Sequence, residues 1–181
     1  MIYHTGDRYF GSWKDSGRSG EGKLEVVEGG SYVGQWERDA QHGKGVWILP
    51  TKDHYEGAFQ NGFPHGTGKM LYANGDEYNG GWVAGKRSGR GLLEYKDGET
   101  YQGEFLNDHR DGNGQMGWSN GNQYNGSWKA GSQHGLGMMK FSNGSSFDGE
   151  WAAGAMNGWG KLKYANGAEY EGQVRLAMLC C

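Results

Sequence analysis

The chain has 181 residues, enough for one domain of ordinary size, and a formal net charge of −3. Glycine contributes 37 residues, while Leu, Ile, Val and Phe together contribute only 24, so the 8 tryptophans and 11 tyrosines must supply much of the buried surface. No run approaches the roughly 18 apolar residues of a membrane-spanning helix, and the slightly acidic balance argues against nucleic acid as a partner.

A 23-residue period organises the chain. The motif Tyr-x-Gly-x-Trp, or a variant of it, begins at Tyr9, Tyr32, Tyr55, Tyr78, Tyr101, Tyr124, Phe147 and Tyr170. A Gly-x-Gly motif recurs with the same step and begins at Gly20, Gly43, Gly66, Gly89, Gly112, Gly135 and Gly158. A fixed period without insertions is the sequence signature of a repeat architecture.

Each repeat contains two segments in which large and small residues alternate with period 2, and we predict that both are β-strands. The aromatic residues of the first segment then share one face, called here the aromatic face: Tyr9, Trp13, Tyr32, Trp36, Tyr55, Phe59, Tyr78, Trp82, Tyr101, Phe105, Tyr124, Trp128, Phe147, Trp151 and Tyr170. Counting one candidate at the start of the chain, the pattern predicts sixteen strands.

Apolar residues of the second segment fall on the same face. We predict that eight of them line a groove for a protein partner: Trp47, Met70, Tyr72, Tyr95, Met116, Trp118, Met139 and Phe141. Methionine side chains suit adaptable binding surfaces, although they serve equally well to fill gaps between rings.

Two kinds of connection alternate along the repeat. We expect a six-residue loop, such as 83–88, between the two strands of one repeat. The next connection carries Asn-Gly or Asp-Gly, as at Asn74-Gly75, and these dipeptides supply the positive φ of a tight hairpin turn. Thr51-Lys52 breaks this rule, so a different or distorted turn is expected there.

Glycines inside the predicted strands also need an explanation, because glycine weakens a strand unless another group approaches closely. We predict that the large rings of one strand occupy the space that the glycines of its neighbour leave empty. A single sheet can then pack its aromatic residues against itself.

The repeat resembles the MORN (membrane occupation and recognition nexus) unit, Tyr-x-Gly-x-Trp-x-x-Gly-x-x-His-Gly-x-Gly followed by an aliphatic–aromatic strand. Residues 124–141 match it throughout, and 78–95 match with Ser88 in place of His. The resemblance covers 1–174, about seven and a half repeats, and leaves 175–181 as an extension of the last strand. It implies an all-β fold, an elongated single-layer antiparallel β-meander that forms a solenoid coiled as a half-pipe. Departures from the motif are Phe59, Phe105, Phe147 and Val174.

The first residues of the chain align with the interior of a repeat. Residues 1–13 correspond to 70–82, so the Gly-x-Gly half of that repeat is missing. Because natural arrays end in atypical repeats, the sequence predicts a C-terminal fragment of a longer array.

Short matches to catalytic motifs have structural explanations. His-Gly-x-Gly at His42, His65 and His134 could form an oxyanion hole, but no nucleophile elbow accompanies it. The Gly-x-Gly-x-x-Gly beginning at Gly112 has no helix after it, as dinucleotide binding requires. We therefore predict no catalytic residues, no cofactor and no small-molecule substrate, and expect the repeat-position histidines to hydrogen-bond the backbone at turn ends.

A non-enzymatic scaffold is the predicted function, since repeat solenoids present extended binding faces. The resemblance implies a protein that self-associates and organises cytoskeletal or membrane-proximal assemblies, in the cytoplasm, on the cytoskeleton or at the cytoplasmic face of a membrane. The alternative is a phosphoinositide-binding module. Anionic lipid headgroups require clustered cations, and the candidate contact is Lys86, Arg87 and Arg90.

The C-terminus departs from the repeat. Val174, Leu176 and Met178 keep the period-2 alternation, so we predict an apolar edge strand that pairs with a second copy in a homodimer. Cys180 and Cys181 would then join in a disulfide or bind Zn²⁺ with a nearby histidine. Free thiols and a prenylation signal are the other interpretations of the cysteine pair.

Overall fold

The computed structural model describes residues 1–175 of the chain. Fifteen strands form one antiparallel sheet, and their order in the sheet is their order in the chain. This architecture confirms the predicted all-β meander. Within residues 1–175, no helix is long and apolar enough to cross a bilayer.

The chain divides into two compact units, Met1–Ser88 and Gly89–Cys181. The first contains β1 (Arg8–Lys14), β2 (Gly17–Glu25), β3 (Ser31–Glu37), β4 (Ala40–Ile48), β5 (His54–Gln60), β6 (Phe63–Leu71), β7 (Glu77–Val83) and the start of β8 (Lys86–Glu94). The second contains the rest of β8, β9 (Thr100–Leu106), β10 (His109–Gly117), β11 (Gln123–Lys129), β12 (Ser132–Lys140), β13 (Ser146–Ala152), β14 (Ala155–Lys163) and β15 (Glu169–Arg175). The sixteenth strand, predicted at the start of the chain, is only an isolated bridge between Ile2 and Arg8.

The turns within a repeat differ from the sequence prediction. Strand β7 ends at Val83 and β8 begins at Lys86, so two residues connect them instead of a six-residue loop. Ala84 and Gly85 have φ of 48° and 81°, and positive φ at both residues is the signature of a type I′ turn. The equivalent turns lie at 15–16, 38–39, 61–62, 107–108, 130–131 and 153–154. Only one of these pairs is Asn-Gly, which is why the sequence pattern did not reveal them.

The Asn-Gly dipeptides that we assigned to tight hairpins lie in five-residue connections instead. In the connection 72–76, the backbone N–H of Tyr72 donates to the carbonyl of Asp76, and that of Gly75 to the carbonyl of Tyr72, both at 2.9 Å. The connection 49–53 makes the same two bonds with Lys52 at φ 72° in the glycine position. The turn at Thr51-Lys52 is therefore the ordinary one, and the expectation of a distorted turn was wrong.

A β-bulge explains the first glycine of each Gly-x-Gly. Between β5 and β6, Gly57 pairs with Gly68 and Phe59 with Pro64, so three residues of β6 oppose Ala58 alone. Gly66 lies in this bulge with φ 73°, a conformation that glycine adopts without strain.

The aromatic face forms a ladder of rings in each unit. In the first unit, the rings of Tyr55 and Trp82 meet edge to face at 5.2 Å, and Trp82 meets Tyr78 at 5.3 Å. The Trp82 indole N–H donates to the carbonyl of Gly68 at 3.0 Å, and the Tyr78 hydroxyl to the carbonyl of Gly81 at 3.0 Å. The polar ends of these rings are therefore satisfied while their faces are buried.

Two glycines that face each other on neighbouring strands make room for the tyrosine ring. A Cβ added to Gly57 would lie 2.5 Å from the Tyr55 hydroxyl oxygen, and one added to Gly68 would meet the same ring. Because Gly57 and Gly68 are directly opposite in register, the ring of Tyr55 lies over a glycine pair that spans its own strand and the next. The predicted role of the glycines is thus correct, with the difference that the tyrosine's own strand contributes one of them.

Replacing Trp82 with alanine removes a side chain that is only 3% exposed, together with two ring contacts and one hydrogen bond. We expect the free energy of unfolding to fall by about 3–5 kcal/mol. Trp82→Phe keeps the packing, as Phe59 and Phe105 do naturally, and should cost only about 1–2 kcal/mol for the lost hydrogen bond. Urea denaturation measures both; a loss under about 1 kcal/mol for Trp82→Ala would contradict this packing.

Gly114 and Gly117 lie on the same strand and provide a test of the glycine pairs. A Cβ at Gly114 would lie 2.5 Å from Cζ of Tyr101, whereas one at Gly117 would meet only the Thr100 hydroxyl at 3.4 Å. Gly114→Ala should destabilise the fold by about 1–3 kcal/mol through overpacking. Gly117→Ala should change stability by less than about 0.5 kcal/mol. Equal effects of the two substitutions in a thermal melt would refute the proposed role of Gly114.

Candidate protein-binding face

The two faces of the sheet have different roles. Thirteen of the fifteen residues predicted for the aromatic face are buried, and the remaining two, Trp13 and Tyr170, are 42% and 44% exposed. The side chains that alternate with the aromatic face, called here the opposite face, have no second layer of the described chain over them. Large apolar residues there are exposed, among them Val33 at 48%, Leu136 at 68% and Trp159 at 59%.

The opposite face of the second unit holds a groove of about 440 Å³, called here the amide groove. Its lining consists of Leu92, Thr100, Gln102, Gln115, Met116, Gly117, Gln123, Tyr124, Asn125, Met138 and Lys140. Lys140 is the single ionic side chain of this lining, and four side-chain amides converge on the groove.

A single cross-strand row runs along the amide groove. Gln102 of β9, Gln115 of β10 and Asn125 of β11 are directly opposite one another in register. Leu92 of β8 continues the row beyond Gln102, and Met138 of β12 continues it beyond Asn125. The row therefore crosses five strands with three amides at its centre and an apolar side chain at each end.

The opposite face of the first unit holds a wider groove of about 890 Å³ with a different character. Glu21 and Glu56 line it together with Lys44 and Lys69, and Val33 and Val46 add apolar surface. Lys69 forms an ion pair with Glu77 at 2.7 Å. This groove presents charges of both signs, whereas the amide groove is almost uncharged.

The predicted partner groove of eight residues lies mainly on the packed aromatic face. Its methionines Met70, Met116 and Met139 are only 7%, 3% and 8% exposed, so they fill space between rings. Trp47, Tyr72, Tyr95, Trp118 and Phe141 are half-buried. Of the eight residues, Met116 alone lines either of the two grooves described above. Partner binding by these residues stays a prediction.

The predicted lipid contact places its three cations in unlike surroundings. Lys86 and Arg90 are exposed, but Arg87 is half-buried with its guanidinium 5.6 Å from the centre of the Tyr78 ring. Arg18 and Arg110 occupy the same repeat position and lie 4.1 Å and 4.4 Å from the rings of Trp36 and Trp128. These cation–π contacts make arginine at this position part of the packing. The sequence analysis missed them, although the shared repeat position was a visible signal.

The tyrosines of the aromatic face are structural donors. Each hydroxyl donates to a backbone carbonyl three residues along the chain, as from Tyr124 to Ser127 at 3.0 Å. Burial raises the pKa of Tyr124 to about 12 and also raises those of Tyr32, Tyr55 and Tyr101. A phenol that stays protonated at neutral pH suits this donor role and not that of a general base.

The His-Gly-x-Gly motifs follow the bulge described above. His65 lies in the bulge of β6, and His42 is 3.5 Å from the carboxylate of Glu37. At the same repeat position, Asp111 accepts a hydrogen bond from the backbone N–H of Ala130 at 3.1 Å, whereas the turn-end bond expected of the histidines stays a prediction. Within residues 1–175, no three His, Cys, Asp or Glu side chains are grouped so that they could hold a metal ion.

The C-terminal predictions fall largely beyond the described part of the chain. Val174 is 7% exposed and pairs with Gly158, so its side chain packs within its own unit. Leu176, Met178, Cys180 and Cys181 lie outside the described residues. The homodimer contact and the zinc or disulfide site stay predictions.

These features define a β-repeat protein with one packed face and one open face. Consecutive MORN repeats match residues 32–54, 55–77, 78–100, 101–123, 124–146 and 147–169, more than half of the chain, and the chain belongs to the MORN-repeat family. A comparison with curated proteins found no match.

Three solved structures with a similar fold are domains of SAS-4 and CPAP. The TCP domain of SAS-4 from Drosophila melanogaster, in complex with a proline-rich motif of Ana2, has a TM-score of 0.54 at 15% identity, over 93% of this chain and 90% of that one. The TCP10 domain of CPAP from Danio rerio has a TM-score of 0.53 at 11% identity, over 96% and 82%. The G-box domain of the microcephaly protein CPAP has a TM-score of 0.52 at 11% identity, over 97% of both chains. At these identities the likeness shows the fold.

The lipid alternative has a direct test in liposome flotation. Because the net charge is −3 and Arg87 packs on a ring, we expect weak association with phosphoinositide liposomes that disappears at high salt. The double substitution Lys86→Gln and Arg90→Gln removes the two exposed cations of the predicted contact and should weaken this association. Arg87→Gln, by contrast, should lower the melting temperature because it removes the cation–π contact. Strong flotation that persists in high salt would favour the lipid-binding function over the scaffold.

Proposed function

We propose that this protein is a non-enzymatic scaffold that binds extended segments of partner proteins on the opposite face of its sheet. The observation that carries the proposal is the amide groove. It is open, nearly uncharged and lined by four side-chain amides and two exposed or half-exposed apolar side chains, Leu92 and Met138.

The chemistry of the amide groove suits a peptide backbone. An extended segment keeps its N–H and C=O groups available, and each of them needs a partner when it is buried. A primary amide both donates and accepts hydrogen bonds, so Gln102, Gln115, Gln123 and Asn125 can satisfy backbone groups of either kind.

Catalysis has no comparable support on this face. General acid–base chemistry needs titratable groups that converge on a substrate. The amide groove has one, Lys140, and the four of the wider groove, Glu21, Lys44, Glu56 and Lys69, are spread along an open face, where Lys69 is paired with Glu77.

The similar solved structures support a cytoskeletal setting for the scaffold. The SAS-4 TCP domain holds a peptide motif of another protein, and the study of the CPAP G-box domain suggests a role in centriole elongation. We propose that this chain likewise joins a cytoskeletal assembly in the cytoplasm through a peptide contact.

Self-association is the finer part of the proposal, and it comes from the sequence of 174–179. Light scattering of the full chain and of a truncation after Gly172 tests it, with chelator and reductant added in turn. A full chain that is monomeric at tens of micromolar would exclude the homodimer and its zinc or disulfide.

Detergent extraction of cells that express the tagged chain tests the scaffold function. We expect the wild type to stay with the insoluble cytoskeleton and Gln115→Glu to move to the soluble fraction, because a carboxylate repels backbone carbonyls in the groove. Gln173→Glu is the matched control, since Gln173 is exposed on the same face of β15, outside the groove. Extraction of the wild type, or equal behaviour of both variants, would contradict the proposal.

A further inference from the structure

The central row of the amide groove has a regular spacing that matches one backbone conformation. Neighbouring strands lie about 4.8 Å apart, and each repeat has two strands. A segment that runs across the sheet therefore meets the same repeat position about every 9.6 Å. A polyproline II helix rises about 3.1 Å per residue with three residues per turn, and so repeats its own face every 9.3 Å or so. The two periods agree within a few per cent.

Other backbone conformations do not fit this period. A β-strand returns to the same face every two residues, roughly 6.8 Å, and an α-helix has a pitch of about 5.4 Å. Neither value matches one or two strand spacings as closely as the polyproline II turn does.

The apolar ends of the row set the spacing of the contacts. Leu92 on β8 and Met138 on β12 are four strand spacings apart, which is roughly 19 Å or two polyproline II turns. Met138 is 38% exposed and Leu92 is half-buried, so both have surface to offer. A polyproline II segment would therefore contact them with side chains six residues apart.

The amides between these ends match the hydrogen bonding of a proline-rich backbone. A polyproline II helix makes no internal hydrogen bonds, and proline lacks an N–H, so the segment presents mainly carbonyl acceptors. Within the described residues, the side-chain amides of Gln102, Gln115 and Asn125 make no hydrogen bond to the protein. Their NH₂ groups are therefore available to donate.

Charge separates this groove from the one in the first unit. The amide groove has no carboxylate in its lining. Beside the central row, Gly117 lies between Thr100 and Gln123 and adds no side chain there. The wider groove mixes Glu21 and Glu56 with Lys44 and Lys69, so it does not offer the uncharged row of donors that a carbonyl-rich segment meets in the amide groove.

From these observations we infer that the amide groove binds a proline-rich segment in the polyproline II conformation, lying across β8 to β12, with apolar side chains six residues apart on Leu92 and Met138. The inference rests on the proposed scaffold function and names the chemistry of its partner.

Fluorescence anisotropy with defined peptides tests the inference. The probe is a fluorescein-labelled peptide in which five prolines separate two leucines, flanked by glycines. Shortening the spacer to four prolines moves the second leucine by a third of a turn, and a Gly-Ser spacer of the original length removes the polyproline II preference. We expect the full chain to bind the five-proline peptide at least tenfold more tightly than either control peptide.

Substitutions in the row locate the site. Gln102→Ala and Gln115→Ala should each weaken the five-proline peptide roughly five- to tenfold, the effect of one lost hydrogen bond. Gln173→Ala should leave the affinity unchanged, and thermal melts should show that all three variants keep the wild-type stability. Equal affinity for the three peptides, or binding that survives both groove substitutions, would overturn the inference.

Selection of a random peptide display library on the full chain separates this inference from the proposed function. Enriched peptides with prolines and apolar residues six apart, which lose binding in Gln115→Ala, would support both. Groove-dependent peptides without proline would overturn the inference and keep the scaffold function. An absence of any peptide that depends on Gln115 would overturn both.

Discussion

The contact on which the fold depends is a tyrosine ring lying over a pair of opposed glycines. Single-layer sheets have no second layer against which to bury their side chains, so each ring must find its packing within the sheet itself. Tyr55 does so over Gly57 and Gly68, and its edge meets the rings of Phe59 and Trp82 at 5.0 Å and 5.2 Å. The period of 23 residues repeats this contact along each unit, and Arg18 and Arg110 add a guanidinium over the tryptophan rings.

Because this packing uses one face only, the other face is free to differ from repeat to repeat. The same repeat position holds Val46 in the first unit and Gln115 in the second, and both lie in grooves. Neither side chain contributes to the ring ladder, so substitutions there change what the surface can bind at little cost in stability. The two grooves accordingly differ in charge although the strands beneath them are alike.

The sequence revealed the strands and the aromatic face because period-2 alternation is a direct consequence of strand geometry. It placed the turns in the wrong connections, since type I′ geometry was expected only at Asn-Gly and is adopted here by pairs such as Ala84-Gly85. Arg87 was interpreted as a surface cation because a charge says nothing about the ring it lies over. The amide groove was not foreseen: Gln102, Gln115 and Asn125 are unremarkable in the sequence, and only the register of β9, β10 and β11 aligns them.

Because of that register, equivalent side chains on the opposite face recur at a fixed interval. Every inserted repeat would add two strands, or about 9.6 Å, without changing the spacing of the strands already present. The side chain at each of these positions can change by a single substitution, as Leu92, Gln115 and Met138 illustrate at the same repeat position. A lineage of such proteins could therefore come to bind longer ligands by duplicating repeats, and ligands of different sequence by substituting residues of the opposite face. The tyrosines and glycines of the packed face would stay the same.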